Sequence, residues 1–227
     1  MGAKKGKSEK SEKSLNLAIS VDRLLKLKLK ECEFTGAFLD SFGRPELTGT
    51  WLIWGNSGNG KTRFALMLAK YFASLGLKVV YDSLEEGKST SMRNAFRDVR
   101  MQEVKSKIML LDKEPIKQLM ERLSKPKSAH IVIIDSVQYS GLNYAQYKNL
   151  RDTFRNKLFI LISHSDGRLP EGKIAKSIRF DAFVKVWIEG FVAFPVSRYG
   201  GGEPFIVWQQ GAAKFGHNVK QEYSNID

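Results

Sequence analysis

Five apolar runs, at residues 50–54, 78–83, 107–111, 130–135 and 157–163, are each the length of a buried strand, and polar or turn residues follow each of them. Runs that are apolar throughout, rather than alternating, belong to strands covered on both faces. Helical periodicity fills the intervals, with Phe, Leu, Met and Ala recurring every three or four residues at 62–74, 89–104, 115–123 and 144–155. Strands alternating with helix-length crossovers predict an α/β fold around a largely parallel sheet. The last third changes character: 182–190, 191–197 and 204–210 read as strands joined by Gly- or Pro-containing turns with no helix between them. They are expected as antiparallel strands added at one edge. Residues 24–32 (LLKLKLKEC) fit a strand by alternation and a short helix by composition, and there is no internal repeat.

The termini read differently. Residues 1–14 alternate Lys, Ser and Glu with almost no apolar side chain, a composition that cannot offset the entropy of folding, so they are expected as a disordered basic tail. Residues 15–215 then form one domain and 216–227 a polar tail, which suits a chain of 227 residues. Lys and Arg outnumber Asp and Glu by 37 to 24, a formal net charge of +13 that favours polyanionic partners. Cys32 is the only cysteine, which rules out an internal disulfide and agrees with a reducing, cytoplasmic setting. No apolar run approaches the roughly 18 residues that span a bilayer, so no membrane partner is expected.

Between the first apolar run and the helix after it lies GNSGNGKT, residues 55–62. Glycine tolerates positive φ and carries no Cβ. Gly55, Gly58 and Gly60 therefore let successive backbone N–H groups, with Asn56, Ser57 and Asn59 between them, turn inward around a phosphate at the positive end of a helix. Lys61 would reach the β- and γ-phosphates, Thr62 would contribute its hydroxyl to a Mg²⁺ shell, and Arg63 opens the helix beside them. A chance match to this pattern in a chain of this length is on the order of 1%. Arg63 also stands where a dinucleotide-binding loop has its third glycine, which excludes that alternative. The metal needs an acid from a neighbouring strand, and IVIID ends a strand on Asp135. Hydrolysis needs a group that orients or deprotonates water, for which VVYDSLEEG offers Glu85 and Glu86 just past a strand end.

GNSGNGKT, YDSLEEG, IVIIDSVQ, LISHSDG and SRYGGGE occur in the order and rough spacing of the RecA-like core ATPases, the group that contains RecA, RadA and the DnaB-type helicases, and the chain resembles that family over about residues 36–210. The resemblance implies a three-layer RecA-like P-loop fold, ATP with Mg²⁺ as cofactors, and Glu85 as the group that activates water. It implies that Ser163 and His164 sense the γ-phosphate. It also implies that Arg198, with Gly200, matches a K-x-R-x-G element that reaches into the ATP site of a neighbouring subunit, so a homo-oligomeric ring or filament is expected. Val196 stands where that element often has lysine.

The family binds single-stranded DNA through loops after the fourth and fifth core strands. Here the first of these positions carries Tyr139, Tyr144 and Tyr147 for stacking and Lys148, Arg151 and Arg155 for phosphates. Tyr147, Leu150 and Phe154 equally fit a helix packed on the sheet. The second position carries Arg168, Lys173, Lys176 and Arg179 in a Gly/Pro-punctuated loop that need not be ordered without ligand. The expected function is an ATPase that couples turnover to binding of DNA in recombination, repair or mobile-element processing. A nucleotide-switched assembly protein and a small-molecule kinase are the competing readings.

Overall fold

All five apolar runs form strands in the computed structural model, which describes residues 18–216. The tail expected at 1–14 lies outside the described residues, as does all but the first residue of the one expected at 216–227. In chain order the elements are α1 (Val21–Leu25), α2 (Gly36–Phe42), β1 (Gly49–Gly55), α3 (Lys61–Ser74), β2 (Val79–Ser83), α4 (Thr90–Asp98), β3 (Ile108–Asp112), α5 (Ile116–Leu123) and β4 (Ile131–Asp135). They continue with α6 (Tyr144–Thr153), β5 (Leu158–Ser163), β6 (Ser165–Asp166), β7 (Leu169–Pro170), α7 (Gly172–Asp181), β8 (Val184–Glu189), β9 (Val192–Ser197), β10 (Phe205–Ile206) and α8 (Gln209–Lys214).

The main sheet runs β10-β9-β8-β1-β5-β4-β2-β3. From β8 to β3 every pairing is parallel, and β9 pairs antiparallel with both β8 and β10. Strands β1, β2, β4 and β5 are apolar on both faces because both faces are covered. Trp51, Ile53, Tyr81, Ile133 and Ile160 pack under α3 and α4, while Leu52, Val80, Val132, Ile134 and Leu161 pack under α5, α6 and α7. The result is a three-layer α/β fold with its antiparallel element at the C-terminal edge, as expected.

Four details differ from the expectation. Residues 182–190 run parallel to β1, because α7 supplies the crossover before them, so antiparallel pairing begins only at β9. The segment after β5 is a β6–β7 hairpin followed by α7 rather than an open loop. Its helix signal is the placement of Ile174, Ala175 and Ile178 on one stripe, with Ala175 and Ile178 buried against the sheet. The helix expected at 89–104 stops at Asp98, where Arg100 turns to φ 54, and resumes as a short 3₁₀ turn over Met101–Val104. Residues 24–32 divide between the end of α1 and extended chain that bridges Glu31 to Glu46. Val21 and Leu25 on this arm are exposed, whereas Cys32 is buried and burial pushes its thiol up to about 12. Among the described residues no helix is long and apolar enough to cross a membrane.

Candidate nucleotide site

Parallel register brings the carboxyl ends of the strands to one edge. Ser83 pairs with Asp135, Asp135 with Ile162, Trp54 with Ser163 and Gly55 with Ile188. The ends of β1, β2, β4 and β5, with the first turn of α3, enclose a cavity of about 290 Å³ whose lining includes Gly58, Gly60, Lys61, Thr62, Glu85, Glu86, Asp135 and His164.

The phosphate loop is held from outside by its own asparagines. Asn59 accepts from the Gly190 N–H at 2.7 Å through its side chain and from the Phe191 N–H at 3.1 Å through its carbonyl, and Asn56 accepts from the Ser165 hydroxyl at 2.7 Å. These contacts fasten the loop to the β8–β9 turn and to β6, leaving the backbone N–H groups on the cavity side. The three glycines divide their work. Gly58 (φ 74) and Gly60 (φ 100) adopt the left-handed conformation that opens the cradle, and a Cβ on Gly58 would meet nothing within 4 Å. Gly55 serves packing instead, because a Cβ there would lie 2.2 Å from the carbonyl oxygen of Ile188.

Lys61 folds back on the loop and donates to the Asn56 carbonyl at 3.0 Å. Burial lowers its pKa, opposed by the nearby carboxylates of Asp135 and Glu85. Asp135 is buried, and burial raises its pKa against the hydrogen bond donated by the Tyr81 hydroxyl. The Thr62 hydroxyl lies 3.4 Å from the same carboxylate oxygen. An acid held partly desolvated beside a hydroxyl and an ammonium, at the end of a helix dipole, fits a Mg²⁺ bound together with phosphates. No group of three or more His, Cys, Asp or Glu side chains among the described residues could hold a metal without such phosphates. Arg63 borders the cavity, with Nε donating to the Val207 carbonyl at 3.3 Å and the guanidinium 3.7 Å from Asp98.

Of the two adjacent acids, Glu86 accepts from the Ser89 hydroxyl at the start of α4, whereas Glu85 turns toward the end of β5 and meets His164 Nε2 at 3.0 Å. The other ring nitrogen of His164 lies 3.5 Å from Glu171. Ser163 is buried, accepts from the Gln138 amide at 2.8 Å and donates to the His164 carbonyl. Of the two sensor candidates, His164 lines the cavity and Ser163 stands behind it. Phe191, which sequence reasoning missed, lines the mouth of the cavity at φ 60 with its ring edge-on to Trp208. Its only sequence signal was an aromatic residue just after a glycine in a strand turn.

Arg198 lies elsewhere. Its backbone N–H bonds to the Phe183 carbonyl at the start of β8, its guanidinium sits over the Phe183 ring, and the phosphate loop abuts the far end of the same strand. Five strand residues separate the two by about 16 Å, too far for an arginine to reach within one chain. The expected nucleic-acid residues separate as well. Arg168 sits over Trp187, Arg179 over Trp54, Lys176 is 4.0 Å from Asp166, and Lys173 is exposed. Tyr139 and Tyr144 are exposed, but Tyr147 is buried, donates to the Thr50 hydroxyl and packs α6 on the sheet, and Arg151 is paired with Asp152 and Asp181.

This strand order and this loop define a RecA-like P-loop fold. Among solved structures the chain is similar to the flagellar accessory protein FlaH from Methanocaldococcus jannaschii, with a TM-score of 0.59 and 16% identity over 79% of this chain and 97% of that one. It is also similar to a KaiC-like protein from Pyrococcus horikoshii, with a TM-score of 0.55 and 18% identity over 78% of this chain and 94% of that one. No protein-family profile matches the sequence, and no curated protein matches it.

Proposed function

We propose that this protein is a Mg²⁺-dependent ATPase that works as a homo-oligomer and couples ATP turnover to binding of single-stranded DNA, in recombination, repair or mobile-element processing. The observation that carries the reading is the convergence of Lys61, Thr62, Asp135 and Glu85 on one cavity behind a positive-φ glycine cradle. ATP would supply the scissile phosphoanhydride, and Mg²⁺ the charge that neutralises the departing ADP. The N–H groups around Gly58 and Gly60, with Lys61, would bind the β- and γ-phosphates, and Thr62 with Asp135 would hold the metal. Glu85 orients water and takes its proton once it is released from His164. Phe191 adds an apolar wall to the same cavity. The exposure of Arg198 and of Val21 and Leu25 on the N-terminal arm supports contact between copies. The formal charge of +13 supports a polyanionic partner.

A second reading, an assembly protein that uses ATP as a switch with negligible hydrolysis, is favoured by one feature: the Glu85–His164 contact engages a carboxylate oxygen of the candidate base. Steady-state ATP turnover with and without oligothymidylate, beside Lys61→Ala and Glu85→Gln, separates the readings. Stimulation by the oligonucleotide, with binding lost in Lys61→Ala and only turnover lost in Glu85→Gln, is the expected result. Tight ATP binding without turnover establishes the switch, and absence of ATP binding overturns both.

A further inference from the structure

The face of the sheet opposite α3 carries an aromatic row that the nucleotide site does not use. Trp54 of β1 is in register with Trp187 of β8, which pairs with Phe194 of β9, so the three lie side by side across neighbouring strands. The rings of Trp187 and Phe194 are 5.5 Å apart and both are half-buried. On the next rung Lys185 pairs with Val196, which is 66% exposed. Cations stand over and beside this row: Arg179 over Trp54, Arg168 over Trp187, then Lys185, with Arg198 close enough to bear on the Lys185 charge.

These four cations have no carboxylate partner among the described residues. The Nε of Arg179 is buried with no hydrogen-bond partner at all, and burial together with Arg198 and Arg179 lowers the Lys185 pKa. Three of these cations rest on rings, Arg179 on Trp54, Arg168 on Trp187 and Arg198 on Phe183, but none has a counter-charge among the described residues, so an anion that also presents flat rings fits as the missing charge partner. The only acid on the same face of β8 is Glu189, at the far end beside the phosphate loop.

We infer that this β8–β9 face, built on Lys185, Trp187, Phe194 and Val196 with Arg198 at its foot, is a binding track for single-stranded nucleic acid, with phosphates on the cations and bases against the aromatic row. The Trp187 and Phe194 rings are 5.5 Å apart, room for about two stacked nucleotides. The inference rests on the DNA-binding reading proposed above but places the base contacts on the sheet itself, with Arg168 and Arg179 of the segment after β5 standing over it.

The test is anisotropy of fluorescein-labelled oligothymidylate with the full chain and Mg·ATP over a salt series, for Lys185→Gln, Trp187→Leu, Phe194→Leu and, as a separate arm, Lys173→Gln. The leucines stay apolar while removing the ring, and Lys185→Gln touches no packed core, so folding failure in one variant leaves another to decide. Loss of a base stack is expected to weaken binding roughly 5- to 100-fold in each leucine variant. Lys185→Gln should lower the slope of log affinity against log salt by about 0.7. Wild-type affinity and slope in all three, with Lys173→Gln weakened, overturns this surface while leaving DNA binding intact. No binding by the wild type overturns both. Dissociation of oligomers by Trp187→Leu with oligonucleotide affinity unchanged assigns the face to a second copy and overturns the inference.

Discussion

Replacing Asp82 by asparagine is expected to change the pH dependence of stability in a defined direction. Asp82 is the fourth residue of a five-residue strand and has no solvent exposure. One carboxylate oxygen accepts from the Glu114 N–H at 3.0 Å and the other has no partner. Arg122 offers little relief, because its guanidinium is committed to Glu114 at 2.6 Å. Burial is the largest cause, and it pushes the Asp82 pKa from 3.8 up to about 6. The folded chain therefore keeps this proton over a range in which the unfolded chain has lost it. Stability from this group is full below pH 3.8, falls as pH rises and is lost above about 6. About two pH units of displacement correspond to about 3 kcal/mol. The asparagine amide cannot titrate, so whatever constant offset it introduces, the stability of Asp82→Asn relative to wild type should rise by about 3 kcal/mol between about pH 4 and 7. Urea unfolding followed by circular dichroism at several pH values measures this difference directly, and other titrating groups cancel between the two proteins. A difference that stays constant within about 1 kcal/mol across that range refutes the burial argument.

Gly55→Ala should destabilise the protein by about 2 kcal/mol or more and reduce ATP affinity with it, because the new methyl meets the Ile188 carbonyl; unchanged thermal unfolding would show that the strands yield at no cost. Tyr147→Phe should cost about 1 kcal/mol through loss of its bond to Thr50 while leaving oligothymidylate affinity unchanged, and weakened oligonucleotide binding in a normally stable variant would return Tyr147 to the surface role. His164→Ala should separate binding from chemistry, with ATP affinity kept and the rate of a single turnover altered, since the imidazole contacts Glu85 and not the phosphate loop; identical single-turnover rates would count against any control of Glu85 by His164.

Much of the fold was legible in the chain. The apolar runs at 50–54 and 130–135 could only be doubly covered strands, and GNSGNGKT announced its cradle through residues whose backbone freedom has few other uses. What escaped was whatever depends on residues far apart in sequence. Helix α7 was hidden because its buried stripe rests on Ala175 as much as on Ile178, and an alanine signals little until a sheet lies beneath it. The direction of β8 followed from that helix.

The sequence by itself determined the strand set, the phosphate loop and the acids that could serve it, since each rests on contacts within a few residues along the chain. Tertiary structure decided which side of the sheet each group faces. Gly55 became a packing residue, Glu85 and Glu86 were separated by their partners His164 and Ser89, and Tyr147 turned inward. Arg198 was set at the opposite end of β8 from the phosphate loop of its own chain. Strand register governs all of this: a shift by one residue exchanges the two faces of a sheet, and register is set by pairing between segments that no local pattern of residues can see.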